Sequence, residues 1–62
     1  MSIGKLHVKD HCGGIAHVFE IFMRGNVLAV FVDDCFLCYA KDKTCGARAI
    51  NRVMVNNGWA IA

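Results

Sequence analysis

Proline is absent from this sequence, and none of its apolar runs is long. The longest, residues 27–32, is followed by two aspartates, whereas a helix that spans a bilayer needs about 20 apolar residues. Residues 1–9 contain neither the apolar segment nor the small-residue cleavage site of a secretory signal. We therefore expect a cytoplasmic protein with no membrane partner.

Acidic residues are also scarce. Five of them stand against seven lysines and arginines, which gives a formal net charge of +2. An inhibitor that imitates DNA needs a dense negative surface, so the composition excludes that class of protein. The net positive charge is too small to indicate nucleic-acid binding by itself, because strong nucleic-acid binders concentrate basic residues on one face.

Apolar residues dominate instead, at 56% of the chain and a mean hydropathy of +0.43. This composition excludes a disordered tail and predicts one folded domain, residues 1–62, with a small core. Domains of this size usually gain stability from a metal, disulfides, a partner subunit or dense packing. Four cysteines in a chain without an export signal are more typical of reduced thiols or zinc ligands than of disulfides.

Two β-rich runs, residues 15–23 and 27–36, flank a turn signal centred on Gly25, and together they predict a β-hairpin. A helical period follows, with Thr44 as the expected N-cap and Gly58 in the left-handed position after the last turn, which predicts a helix at about 44–57. The second β-rich run is apolar on both faces. A sheet face left uncovered by the helix predicts self-association or a protein target.

The cysteines are spaced like zinc ligands. Cys35 and Cys38 are separated by two residues, which is the spacing of a zinc knuckle. Cys12 precedes them by about the length of a zinc-ribbon hairpin, and the two glycines after it allow backbone amides to turn towards sulfur. The spacing therefore indicates three candidate ligands.

In this order the residues resemble the restriction-alleviation (Lar-type) family of small phage and prophage zinc-ribbon proteins. The family pattern is Leu-x-x-Cys-Pro-Phe-Cys-Gly-Gly-x-Ala, a hairpin, Cys-x-x-Cys, and a helix ending in Ala-x-x-Ala-Trp-Asn-Arg. The matching residues are Leu6, Cys12, Gly13, Gly14, Ala16, Cys35 and Cys38, and residues 49–52 resemble the helix ending. The resemblance covers about residues 5–53 and implies an α+β fold, a small zinc-ribbon-like β-hairpin followed by one C-terminal helix (ββα).

The chain departs from the family at the first knuckle, where Lys9 replaces the first cysteine and residues 10–11 replace Pro-Phe. A four-cysteine site therefore cannot form in the family's arrangement. The predicted ligands of Zn²⁺ are Cys12, Cys35, Cys38 and His7. His11 and Cys45 are alternative fourth ligands, and a decayed site with cysteines as small buried hydrophobic residues is the competing interpretation.

The resemblance implies a phage or prophage anti-defence protein in the host cytoplasm, which is not an enzyme. It would bind and inhibit or modulate a host defence nuclease, either a restriction-modification enzyme or a CRISPR effector. The residues expected to bind the partner are Arg48, Arg52, Lys41 and Lys43, with the exposed edge of the hairpin. A zinc-ribbon nucleic-acid-binding regulator of transcription or translation is the alternative, and a redox enzyme would need a reactive thiol among the cysteines.

Two other features have structural interpretations. His17 alternates with apolar residues and is expected to be a half-buried, hydrogen-bonded histidine. The pair Asp33-Asp34 is expected to mark a turn or the end of a strand.

Overall fold

Five antiparallel strands and one helix make up the part of the chain that the computed structural model describes, residues 1–12 and 14–61. The elements are β1 (Ser2–Asp10), β2 (Ala16–Arg24), β3 (Val27–Val32), β4 (Cys35–Ala40), α1 (Lys43–Asn57) and β5 (Trp59–Ile61). They form one sheet in the order β4-β3-β2-β1-β5. The helix therefore connects one edge strand of the sheet to the other.

The predicted zinc-ribbon-like ββα fold is wrong. Its hairpin exists as β2 and β3, which pair antiparallel around Gly25 at a φ of 60°, the conformation that the first central residue of a type II′ turn requires. Two further strands and a division of the second run turn this hairpin into a five-stranded sheet.

The first addition is β1, which pairs with β2 along most of its length, from Ser2 opposite Phe22 to Lys9 opposite Ala16. Its sequence alternates, with Leu6 and Val8 turned towards the core and lysines and a histidine between them. Period-two alternation is the pattern of a strand that is buried on one face. The segment that contains the predicted ligand His7 is therefore a sheet strand.

The second addition is a tight turn that divides residues 27–36 into β3 and β4. Asp33 and Asp34 both have positive φ values, 50° and 65°, as both central residues of a type I′ turn do. Aspartate tolerates this conformation better than most residues. The interpretation of the aspartate pair as a turn or strand end is confirmed, whereas the prediction of one strand over residues 27–36 is wrong.

The helix begins one residue earlier than predicted and ends where it was expected. Asp42, not Thr44, is the N-cap, since its carboxylate accepts a hydrogen bond of 2.8 Å from the backbone N–H of Cys45. Gly58 has a φ of 70° and satisfies carbonyls of the last turn, as predicted. The chain then continues into β5, whose Trp59 lies opposite Asp10 of β1.

The core lies between the helix and one face of the sheet. Its buried residues are Val8, Phe19, Leu28, Val30, Ala40 and Ile50. The helix approaches the sheet closely at Gly46, where an added Cβ would lie 3.8 Å from the Cβ of Ala40. Among the described residues, α1 is too short and too polar to cross a bilayer.

Candidate interaction surface

The helix covers only one of the two sheet faces. The strand register places Phe19, Ile21 and Val30 on the covered face with the helix. Residues that alternate with them point to the opposite side, which we call the open face. This face carries Lys5, His7, Lys9, Ala16, Val18, Glu20, Phe22, Arg24, Val27, Ala29, Phe31, Phe36 and Tyr39. It is the candidate functional surface because it combines apolar, aromatic and charged groups on one plane.

Four aromatic rings form a continuous row across β2, β3 and β4 of the open face. Phe22 contacts Phe31 edge to face at a centroid distance of 5.2 Å, and Phe31 contacts Phe36 in the same way at 5.7 Å. Phe36 and Tyr39 are tilted at 4.9 Å. We call these four residues the aromatic cluster. Edge-to-face pairs are favourable ring geometries, so the cluster is held in place by its own contacts.

The outer members of the aromatic cluster are largely exposed. Phe36 is 52% exposed and Tyr39 is 60% exposed, whereas Phe22 and Phe31 are half-buried. Ala29, which lies between these rings on β3, is almost fully buried. A contiguous group of aromatic rings that remains accessible is the kind of surface that binds a partner by burying apolar area.

Basic residues occupy the other side of the open face. Lys5, His7 and Lys9 project from β1 at every second position and are all exposed. Arg24 lies at the end of β2 near the aromatic cluster. Glu20 is the acidic residue of this face, and it lies 4.0 Å from Lys5, a separation typical of a weak surface ion pair. The open face is therefore aromatic on one side and positively charged on the other.

The predicted partner-binding residues lie on the helix side of the molecule. Arg48 and Arg52 are exposed neighbours along α1 and line a shallow depression with Val55. Lys41 precedes the helix, and Lys43 is its first residue. The structure thus brings Arg48 and Arg52 together on the outer helix surface, away from the aromatic cluster, and leaves the lysines at the beginning of the helix.

The four predicted zinc ligands are distributed over the sheet. Cys12 lies in the β1–β2 turn, and Cys35 and Cys38 lie on β4, so β2 and β3 separate them. Three strand spacings separate β1 from β4, and together they amount to about 14 Å. His7 points to the open face, while Cys38 packs against the core on the other side. Among residues 1–12 and 14–61, no three His, Cys, Asp or Glu side chains are grouped to hold a metal ion.

Zinc binding stays a prediction that native mass spectrometry tests. A bound Zn²⁺ is expected to add its mass to the 6.8 kDa chain and to disappear with a chelator. Because a structural zinc contributes on the order of 10 kcal/mol to such folds, the chelated protein should also lose its circular dichroism signal. The mass of the bare chain under native conditions, with the fold intact, would contradict the zinc prediction.

A histidine–aspartate pair joins β2 to the β3–β4 turn. The Nδ1 of His17 donates to Oδ2 of Asp33 at 2.6 Å, and the backbone N–H of Val18 donates to Oδ1 of Asp33 at 3.0 Å. The His17 ring stacks on Trp59 at 4.0 Å and 13°, which ties β5 to the same point. The expected half-buried, hydrogen-bonded histidine is confirmed. Its role in the fold is to connect three segments at one end of the sheet.

This pair makes stability sensitive to acid. The hydrogen bond from His17, followed by that from Val18, lowers the pKa of Asp33 below its usual value. A lowered folded-state pKa contributes stability that is complete above about pH 4 and is lost as the pH falls through the folded-state pKa. The backbone N–H of Cys45 lowers the pKa of Asp42 in the same direction. Both carboxylates should therefore favour the folded state more at neutral pH than at acidic pH.

We expect Asp33→Asn to flatten the acid limb of the stability profile. Urea unfolding between about pH 6 and pH 3 should show a smaller loss of the free energy of unfolding in this variant than in the wild-type protein. Asparagine tolerates the left-handed backbone at this position, so the turn is retained. Combining it with Asp42→Asn should flatten the profile further. A variant whose acid limb is as steep as that of the wild-type protein would contradict this assignment.

The aromatic cluster was only partly visible in the sequence. The alternation of residues 15–23 places Phe22 on the face opposite Phe19, as expected. Phe36 and Tyr39 are three residues apart and yet share a face, because Leu37 is an extra residue in β4 that breaks the alternation.

The resemblance to the restriction-alleviation family stays a prediction. Comparisons with protein-family models, with curated proteins and with solved structures find no match to this chain.

Proposed function

We propose that the protein acts by binding a protein partner with the aromatic cluster of its open face, and that it catalyses no reaction. The observation that supports this proposal is the contiguous row of four rings, two of them more than half exposed. Aromatic residues at the centre of an interface commonly contribute much of the binding energy. The arginine on β2 and the lysines on β1 would form the polar rim around them.

The charge distribution supports a partner that tolerates a positive rim. Most acidic side chains accept hydrogen bonds from other parts of the fold. Asp10 accepts one from the backbone N–H of Cys12, Asp33 accepts one from His17, and Asp42 caps the helix. Their charges lie at the ends of the elements, not on the open face. A surface of this kind does not imitate DNA, so inhibition would proceed by docking on a protein surface.

The narrower proposal is that the partner is a host defence nuclease, either a restriction-modification enzyme or a CRISPR effector. It rests on the resemblance of Cys12, Cys35, Cys38 and their neighbours to the restriction-alleviation pattern. The zinc-ribbon hairpin that this resemblance implies is not the fold of the chain, so the aromatic cluster is the stronger support for binding. The target class and the binding surface are therefore tested separately.

An affinity pull-down from nuclease-treated bacterial lysate, followed by mass spectrometry, tests the target class. We expect the tagged protein to recover subunits of one defence nuclease in stoichiometric amounts and to retain them in moderate salt. A tagged variant with Phe36→Lys is the matched control, since it alters the cluster at an exposed position. Recovery of the same proteins by this control, or no enrichment of a nuclease by the wild-type protein, would contradict the proposal.

Single-stranded nucleic acid is the second candidate, and the basic residues of β1 favour it. Exposed Lys5, His7 and Lys9 run beside the aromatic cluster on one sheet face, and proteins that bind single strands combine a basic groove with stacking rings. Fluorescence anisotropy with a labelled oligonucleotide tests this candidate. Affinity should fall steeply with salt, and the salt slope should decrease in Lys9→Gln. Binding that is insensitive to salt would exclude it.

A further inference from the structure

The edge strand β4 has a bulge at Leu37 but lacks the charged residues and proline that protect many edge strands. Within the described residues it pairs with β3 alone, so one side of its backbone faces away from the sheet. Its six residues, Cys-Phe-Leu-Cys-Tyr-Ala, include no charged residue and no proline. Edge strands of soluble proteins normally carry such residues, because unpaired N–H and C=O groups are a template for another strand. The composition of β4 is therefore typical of a strand whose free edge pairs with another strand.

The two faces of β4 follow a palindromic order. Phe36 and Tyr39 point to the open face, and Cys38 and Ala40 lie on the helix side. Cys35 shares the helix side through its partner Val32, and Leu37, the extra residue of the bulge, packs against the core on the same side. From Cys35 to Ala40 the side chains point to the helix side, the open face, the helix side twice, the open face and the helix side. This order is the same in both directions along the strand. Such a strand is self-complementary in an antiparallel pair.

We propose that two copies of this chain pair antiparallel through β4, with Phe36 of each copy opposite Tyr39 of the other. In this register Leu37 lies opposite Cys38 of the second copy and Cys35 opposite its Ala40, so every pair joins residues on the same face. A shift by one residue would set Phe36 opposite Cys38 of the second copy, and the two side chains would point to opposite faces. The two-fold axis passes between residues 37 and 38.

The charges at the ends of β4 agree with the same register. Asp34 precedes the strand and Lys41 follows it, and the pairing sets Asp34 of one copy opposite Lys41 of the other, twice per dimer. Asp33, the other central residue of the β3–β4 turn, is directed away from this edge, because its carboxylate accepts hydrogen bonds from His17 and from the backbone N–H of Val18 on β2. Opposite charges therefore flank the shared strand at both ends.

Pairing through β4 would produce a continuous sheet of ten strands, with the two aromatic clusters side by side across the two-fold axis. Cross-strand aromatic pairs stabilise antiparallel sheets. This inference does not depend on the proposed protein partner, because it rests on the backbone edge of β4, although Phe36 and Tyr39 belong to both surfaces.

Sedimentation velocity over a wide range of protein concentrations tests the dimer. We expect a reversible shift from the 6.8 kDa chain to a species of twice that mass. Lys41→Glu places like charges opposite each other twice, and it should weaken the dimer roughly ten-fold. Asp34→Asn, which retains a residue suited to the left-handed backbone, should weaken the dimer less than Lys41→Glu does, and the double variant Asp34→Asn with Lys41→Glu should recover part of the affinity that Lys41→Glu loses, because it removes the like-charge pair. Thermal unfolding of each variant confirms that it is folded.

A charge change away from β4 is the matched control. Lys9→Glu reverses an exposed lysine on β1 and is expected to leave the dimer affinity unchanged. A monomer at every concentration would overturn the proposal. So would a dimer that Lys41→Glu does not weaken, or one that is no tighter in the double variant than in Lys41→Glu. Loss of the dimer without loss of partner capture would separate this inference from the proposed function.

Discussion

Replacing Phe19 by alanine is expected to leave most of the protein unfolded at room temperature. Phe19 is 0% exposed and is the largest fully buried side chain of the core. Truncating such a residue costs about 3–5 kcal/mol, because the lost burial is compounded by a cavity. A domain of 62 residues is stable by about 3–9 kcal/mol in all. The loss is therefore comparable with the total, and circular dichroism should show the native signal only weakly.

Phe22→Ala is the matched control for this prediction. Phe22 lies three residues further along the same strand but on the open face, where it is half-buried and contacts Phe31. Its truncation should cost about 1 kcal/mol and leave the protein folded. Trp59, whose ring lies 5.9 Å from that of Phe19, provides a fluorescence signal for the unfolding transitions. Equal losses in the two variants would show that both sheet faces are covered in the free protein.

The parts of the fold that were predictable are those with strong local signals. The turn at Gly25 separates two β-rich runs, and residues 15–23 alternate cleanly enough to place Phe19 and Phe22 on opposite faces. The end of the helix was predictable because Gly58 supplies a left-handed backbone that few other residues adopt as easily. Local conformational preference and long-range packing agree at these places.

The remaining strands depend on contacts that are distant in sequence. β5 has three residues and owes its conformation to pairing with β1, about fifty positions earlier in the chain. The turn at Asp33-Asp34 contains no glycine, so residues 27–36 were predicted as one run, although the aspartate pair was expected to mark a turn or the end of a strand. β1 did carry a period-two signal, but its buried side rests on Leu6 and Val8 alone. Tertiary pairing decided these elements.

The candidate site was predictable in character but not in position. An uncovered apolar sheet face was expected from residues 27–32, and the open face has that character. The contribution of β4 was hidden, because the bulge at Leu37 brings Phe36 and Tyr39 to one face at a spacing of three. The Cys35-x-x-Cys38 spacing predicted a zinc knuckle, and the two cysteines lie on β4 on either side of the bulge at Leu37. The spacing of these two cysteines does not by itself determine a metal site, and zinc binding stays a prediction.

Tyr39→Lys is expected to abolish capture of the protein partner while leaving the chain folded. Tyr39 is 60% exposed at the end of the aromatic cluster, so the substitution costs the free protein little. In a complex the same position would be desolvated, and burying an ammonium in place of a phenol ring removes an aromatic anchor and adds an unpaired charge. A loss of at least 2 kcal/mol, or roughly thirty-fold in affinity, should follow. Titration calorimetry with the captured partner measures it.

Val55→Lys separates the open face from the helix surface in this experiment. Val55 is 70% exposed and lies beside Arg48 and Arg52, so the variant introduces the same charge into the predicted helix-side surface. Unchanged affinity in Val55→Lys together with loss in Tyr39→Lys would assign binding to the aromatic cluster. The opposite result would assign it to the arginines of the helix. Tyr39 also lies on β4, so its substitution could reduce partner capture by weakening the proposed dimer. Lys41→Glu tests this alternative, because it weakens the dimer without changing Tyr39. If Lys41→Glu still captures the partner, Tyr39 contacts the partner directly.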